Sequence, residues 1–166
     1  MKDKKSLIIY FSRADENYNV GVIEKGNTDV IAEYIRDITN GHLFKVEPAK
    51  PYSKNYMECI EEAKVRTSTH NAPIKESIPD ITDYEVIYVG SPIYWGGMPE
   101  ELYTALKEKD FTGKTIRVFT THEGSGLSNV PSQVKSICTG ANVMDDAIAI
   151  QGSKVYNSKE IIEEWV

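Results

Sequence analysis

Apolar residues in this chain fall in short continuous runs, separated by longer segments where they recur every three or four positions. The runs stand at Leu7–Phe11, His42–Val46, Val86–Val89, Thr115–Thr121 and about Val143–Ile150. A run apolar at successive positions predicts a strand buried on both faces, as in a parallel sheet covered by helices. Helical spacing fills the intervals. Val30, Ile31, Tyr34, Ile35 and Ile38 share one face, with Asn27 or Thr28 placed to cap its start and Gly41 to end it. A second helix is predicted from about Asn55 to Thr67, with Tyr56, Cys59, Ile60 and Ala63 in register. A third starts at Pro99, a favoured first helical position, and carries Leu102, Tyr103 and Leu106. The fourth spans about Val130 to Cys138, and the last follows Ser158 and reads short.

Strands alternating with helices in this way predict a doubly wound α/β fold: a five-stranded parallel sheet in three α/β/α layers. Right-handed crossovers favour the strand order 2-1-3-4-5, which opens a crevice between the carboxyl ends of strands 1 and 3. No repeat, low-complexity tract or linker is visible, so residues 1–166 read as one domain. The stretch from Thr69 to Thr82, with Pro73 and Pro79, reads as a long surface connection.

Composition then narrows the functions. The chain carries 25 acidic and 19 basic residues, a net charge of −6, and no basic block, which argues against nucleic acid as a partner. Cys59 and Cys138 stand alone, without a CxxC or metal-ligand spacing, and read as reduced, buried thiols. The Leu7–Phe11 run is too short for a signal-peptide core or a membrane span. A cytoplasmic protein with no membrane insertion is the expectation.

The candidate chemistry lies in the loops after strands 1, 3 and 4. The first holds Ser12-Arg13 and later Gly26-Asn27-Thr28 entering a helix. Hydroxyls beside a helix N-terminus suit an anion, although ordinary capping by Asn27 and Thr28 would give the same residues. The second reads Ser91-Pro92-Ile93-Tyr94-Trp95-Gly96-Gly97-Met98-Pro99. Its two aromatics fall where a flat ligand could lie, and its paired glycines suit a close backbone approach or a turn with positive φ. The third reads Thr121-His122-Glu123-Gly124-Ser125-Gly126, able to present hydroxyls and backbone N–H groups to a polar ring edge.

With these motifs in order along nearly its full length, the chain resembles the flavodoxin family, with an extended first phosphate loop. Tyr10-Phe11-Ser12-Arg13, Phe111-Thr112-Gly113-Lys114-Thr115 and Ala149-Ile150-Gln151-Gly152 add to the likeness. The resemblance implies non-covalently bound FMN. By carry-over, Ser12, Arg13, Asn27 and Thr28 would hold the phosphate. Pro92, Ile93, Tyr94, Trp95 and Gly96 would line the isoalloxazine, with Tyr94 or Trp95 against it. Thr121, His122, Glu123, Gly124, Ser125 and Gly126 would face the pyrimidine edge and the other side.

Two departures stand out. Ser12 and Gly26 are 14 positions apart, so about eleven residues, roughly Ala14 to Lys25, read as an insertion that could form a flap. Glu123 stands where related sequences often carry glycine; if that position needs positive φ, the side chain costs about 1–2 kcal/mol. A carboxylate beside the ring would also disfavour an anionic reduced flavin.

The function these features suggest is flavin-mediated electron or hydride transfer to a small molecule or a redox partner. The third loop has no Phe, Tyr or Trp, so one flavin face is left for a nicotinamide or quinone to stack on. That favours an FMN-dependent oxidoreductase of the NAD(P)H-linked quinone or flavin reductase type, with His122 as the candidate proton donor. The acidic charge favours instead a flavodoxin-type electron carrier docking basic proteins, and a binding module that has lost FMN is a third reading. NAD(P)H, a quinone, a redox protein and a second copy of the chain are the partners left open. Tyr52 and Tyr56 read as helix-start packing, with a substrate-facing wall as the alternative. A phosphotransfer receiver would need clustered acids at the ends of strands 1 and 3, where Ser12 and Gly90-Ser91 stand. GxGxxG is missing from the first turn, and Glu123-Gly124-Ser125-Gly126 lacks the first glycine of a hydrolase GxSxG.

Overall fold

The computed structural model describes residues 3–17 and 21–166. Its central sheet is built on β1 (Ser6–Tyr10), flanked by β4 (His42–Lys45) and β5 (Val86–Ser91), with β6 (Thr115–His122) beyond β5. All these pairings are parallel: Leu7 lies opposite His42 and Ile87, and Ile87 lies opposite Ile116. The expected order 2-1-3-4-5, with helices on both faces, is the order found.

Alternation along each strand divides the apolar side chains between two cores. Ile8, Tyr10, Tyr88 and Phe119 face α1 (Asn27–Thr39) and α5 (Lys159–Trp165), meeting Val30, Ile31, Ile35 and Ile162. Leu7, Ile9, Ile87 and Val118 face the opposite way, toward Leu102 and Leu106 of α3 (Glu100–Lys107) and Val130 and Val134 of α4 (Val130–Ile137). Every residue of β1 and β5 is buried, which is why their sequences are apolar runs rather than alternations.

The structure departs from the sequence reading at the fifth strand, at the end of α1 and in the connection before β5. The fifth strand is split into β7 (Asn142–Val143) and β8 (Ile148–Gln151), both paired with β6. Between them the Asp146 carboxylate pairs with the buried Arg117 guanidinium, and its carbonyl accepts from the Trp165 indole (2.6 Å). Helix α1 ends on Asn40 in the left-handed region (φ 57°) rather than on Gly41. The connection before β5 is not wholly at the surface, because Ala72, Ile78 and Ile81 are buried; isolated apolar residues beside prolines give no periodic signal. In the insertion, β2 (Asp15–Asn17) and β3 (Gly21–Ile23) pair antiparallel, while Tyr18, Asn19 and Val20 lie outside the described residues.

Helix α2 (Tyr56–Thr69) is capped by Asn55, whose side chain accepts from the Glu58 N–H (3.1 Å). It buries only Cys59 and Ala63. Among the described residues, no helix is long and apolar enough to cross a membrane.

Candidate functional site

The carboxyl ends of β1, β5 and β6 and one face of α2 enclose a cleft of about 420 Å³. Its α1 side is built by long-range capping. Ser12, at the end of β1, accepts the Asp29 N–H through Oγ (3.0 Å), so it caps α1 in place of Asn27 or Thr28. The N-cap is Gly26, packed so tightly that a Cβ would strike Ser12 Oγ and the Arg13 backbone. Released from capping, the Asn27 and Thr28 side chains line the cleft, and the Thr28 and Thr121 hydroxyls hydrogen-bond each other (2.8 Å), tying α1 to β6. The first-turn N–H groups of a helix lack intrahelical acceptors and carry partial positive charge, so this end suits an anion. Arg13 also lines it, its Nη2 donating to the carbonyls of Ser53 (2.8 Å) and Lys54 (3.0 Å).

The loop after β5 separates the two aromatics. The Tyr94 N–H donates to the Gly97 carbonyl (2.7 Å) and the Gly97 N–H to the Tyr94 carbonyl (3.1 Å), closing a two-residue turn. Both central residues have positive φ, Trp95 at 53° and Gly96 at 77°. Glycine tolerates this; tryptophan pays about 1–2 kcal/mol. The Trp95 indole N–H donates to the Ile60 carbonyl of α2 (2.7 Å), a bond of about 1 kcal/mol that offsets much of that cost. Tyr94 turns inward instead, edge-on to Phe11 and Tyr52 at 5.7 Å from each. Burial holds its hydroxyl well above the ordinary tyrosine pKa. Both aromatics line the cleft, and Trp95 is the more open of the two, 55% exposed.

The loop after β6 carries two titratable groups. His122 Nδ1 accepts the Gly124 N–H (2.9 Å), so the neutral ring holds its proton on Nε2, and burial lowers its pKa below the ordinary 6.5. The folded state therefore resists a proton that the unfolded chain accepts, and stability falls as pH drops from 6.5 through the folded value. Following the His122 ring proton by NMR is expected to give a midpoint below 6.5; a midpoint at or above it would contradict this. Glu123 does not have positive φ; Gly124 (131°) and Gly126 (64°) take those conformations, so the expected strain at Glu123 does not arise. Burial raises the Glu123 pKa, and the Gly152 N–H partly offsets the rise.

Ser12, Arg13, Asn27, Thr28, Pro92, Ile93, Tyr94, Trp95, Thr121, His122, Glu123 and Ser125 all line the cleft. Gly96, Gly124 and Gly126 shape its turns without forming its wall. Cys59, Ile60 and Ala63 of α2 also line it and were read in the sequence only as a helix face. Tyr56 joins them, the alternative role the sequence left open, whereas Tyr52 packs behind Tyr94.

Against known proteins, the chain resembles a candidate flavoprotein from Bacteroides uniformis (TM-score 0.74, 22% identity, 98% of this chain and 97% of that one). A candidate flavoprotein from Bacteroides eggerthii matches at TM-score 0.70 and 22% identity, over 96% and 98% of the two chains. A flavoprotein from Lactobacillus acidophilus, solved in complex with FMN, matches at TM-score 0.64 and 22% identity, over 93% and 97%. No curated protein sequence matches the chain. The profile of the flavodoxin family matches residues 5–166, and the chain belongs to that family.

Proposed function

We propose that the cleft binds FMN without a covalent bond and that the protein transfers electrons or hydride to a small molecule or a redox partner. The observation that carries this reading is the gradient of polarity along one cleft. A helix N-terminus with Ser12, Asn27 and Thr28 lies on one side, and Trp95 with the apolar face of α2 on the other. FMN has the matching order of phosphate, polyol and planar ring, and the cleft volume falls within the range of small-molecule sites. The FMN complex of the Lactobacillus acidophilus relative supports the same choice of ligand.

In this reading Ser12, Asn27, Thr28 and the first-turn N–H groups of α1 hold the phosphate, and Arg13 adds positive charge. Pro92, Ile93 and Trp95 wall the ring on one side. Thr121, Ser125 and the glycine-rich turn at 124–126 serve its polar edge. Bound FMN supplies reversible uptake of one or two electrons, while the protein sets its position and access. His122 offers a neutral Nε2–H donor at neutral pH, so it binds and orients; donating a proton from Nδ1 would require breaking its bond to Gly124.

A flavodoxin-type carrier is the second reading. It is favoured by Glu58 and Glu61 on the exposed side of α2 beside Met57, in a chain of net charge −6. Titrating flavin-free protein into FMN and following fluorescence tests the common ground. Quenching with a Kd of roughly micromolar or tighter is expected. Trp95→Ala and the use of riboflavin should each weaken it by about tenfold or more, the scale of one good contact. Unchanged fluorescence with folded protein would overturn the reading. Rapid reduction by NAD(P)H followed by reoxidation with a quinone would select the enzyme over the carrier.

A further inference from the structure

The turn that carries Trp95 is held from outside the cleft. Met98 is buried, and its N–H donates to the Gln133 side-chain oxygen (2.9 Å), 35 positions along the chain. A backbone N–H can only donate, so the oxygen of that amide, not its nitrogen, faces Met98. A Cβ at Gly97 would lie 2.6–2.9 Å from three atoms of the Gln133 amide, so the side chain packs directly on the turn. Beside it, the Gly96 carbonyl accepts the Asn129 N–H (3.0 Å). Gln133 does not line the cleft, and the helix that bears it is firmly seated: Val130 and Val134 of α4 are fully buried.

A turn with Trp95 in the left-handed region persists only where its surroundings over-determine it. The bond from Trp95 to the Ile60 carbonyl leads to α2, a helix that buries only Cys59 and Ala63. The bonds to Asn129 and Gln133 lead to α4 and the core instead. Removing the Gln133 oxygen strands a buried N–H, and the turn relieves both that loss and its own strain by shifting. We propose that Gln133 is a positioning residue for the cofactor's ring: from outside the cleft it fixes the turn, and so the place of Trp95 in the wall. The effect on the ring rests on the FMN reading above; the hold on the turn does not.

The test uses the full-length protein and three substitutions. Gln133→Leu fills the space without an acceptor, Gln133→Asn is one methylene too short, and Gln133→Glu keeps an acceptor in reach. FMN binding is followed by fluorescence, and the Trp95 indole N–H by NMR in flavin-free protein. Gln133→Leu and Gln133→Asn should each weaken FMN by ~10-fold, the scale of a buried donor left unsatisfied. Gln133→Glu should stay within about threefold of the native protein. The ratio of FMN to riboflavin affinity should hold, because the phosphate end is untouched. In the two weakened variants the Trp95 indole signal should move and exchange faster with water, with the Trp165 signal in place. Should Gln133→Leu unfold and lose both signals, the milder Gln133→Asn carries the test. Equal losses in Gln133→Asn and Gln133→Glu, or native affinity and an unmoved Trp95 signal in Gln133→Asn, would overturn the assignment while leaving the FMN site standing. A native protein that bound no flavin would remove both readings.

Discussion

Replacing Glu101 by alanine is expected to cost about 3–5 kcal/mol of stability, the scale for breaking a buried ion pair by removing one partner. Glu101 is fully buried on α3 and accepts from Arg66 Nη1 of α2 and from the Tyr52 hydroxyl, each at 2.7 Å. The Arg66 guanidinium also lies 3.8 Å over the Tyr52 ring, so one carboxylate holds two side chains that also pack on each other. Without it a nearly buried guanidinium and a phenol lose their acceptor together. Melting should fall by roughly 10 °C for a chain of this size. Glu101→Gln, which keeps an acceptor, should lose less, and Glu101→Leu combined with Arg66→Met should recover much of the loss. A cost below about 1 kcal/mol for Glu101→Ala would show the pair to be no more than a surface interaction. The effect reaches the cleft, because Tyr52 packs edge-on against Tyr94.

Gly26→Val should abolish the preference for a phosphorylated flavin. A side chain at Gly26 meets Ser12 Oγ and the Arg13 backbone, and Ser12 is the residue that caps α1. The loop and the helix start must move apart, and the donors they aim together no longer converge. Losing two charge-assisted hydrogen bonds weakens FMN by about 100-fold or more. Riboflavin, with no phosphate to hold, should lose far less. The ratio of the two affinities is therefore the readout, and it is insensitive to any general loss of stability. An unchanged ratio would place the phosphate elsewhere.

Much of this architecture can be read from local pattern. The apolar runs of β1 and β5 pointed to strands covered on both faces, and the paired glycines after Trp95 suited a close backbone approach or a turn with positive φ, of which the structure has the turn. What the sequence concealed was set by contacts distant along the chain. That Ser12 caps α1 depends on a partner 17 positions away. Which aromatic turns inward depends on Phe11 and Tyr52 filling the space beside Tyr94. The α2 wall was hidden for a different reason: Cys59, Ile60 and Ala63 recur with helical spacing whether that face meets a sheet or a ligand. Where the fifth strand is interrupted, Asp146 pairs with a buried arginine on β6, a charge pairing that no run of apolar residues foretells.

The chain has two tryptophans, and each donates its indole N–H to a backbone carbonyl: Trp95 to Ile60 at the cleft, Trp165 to Asp146 on the far side of β6. Their two indole signals in an amide-correlation NMR spectrum, recorded while FMN is added to the flavin-free protein, test the site most directly. The site described here predicts a large shift or broadening of the Trp95 signal and of the Asn27 and Thr28 amides, with the Trp165 signal unmoved. A spectrum in which the Trp165 signal moves and Trp95, Asn27 and Thr28 stay fixed would contradict it.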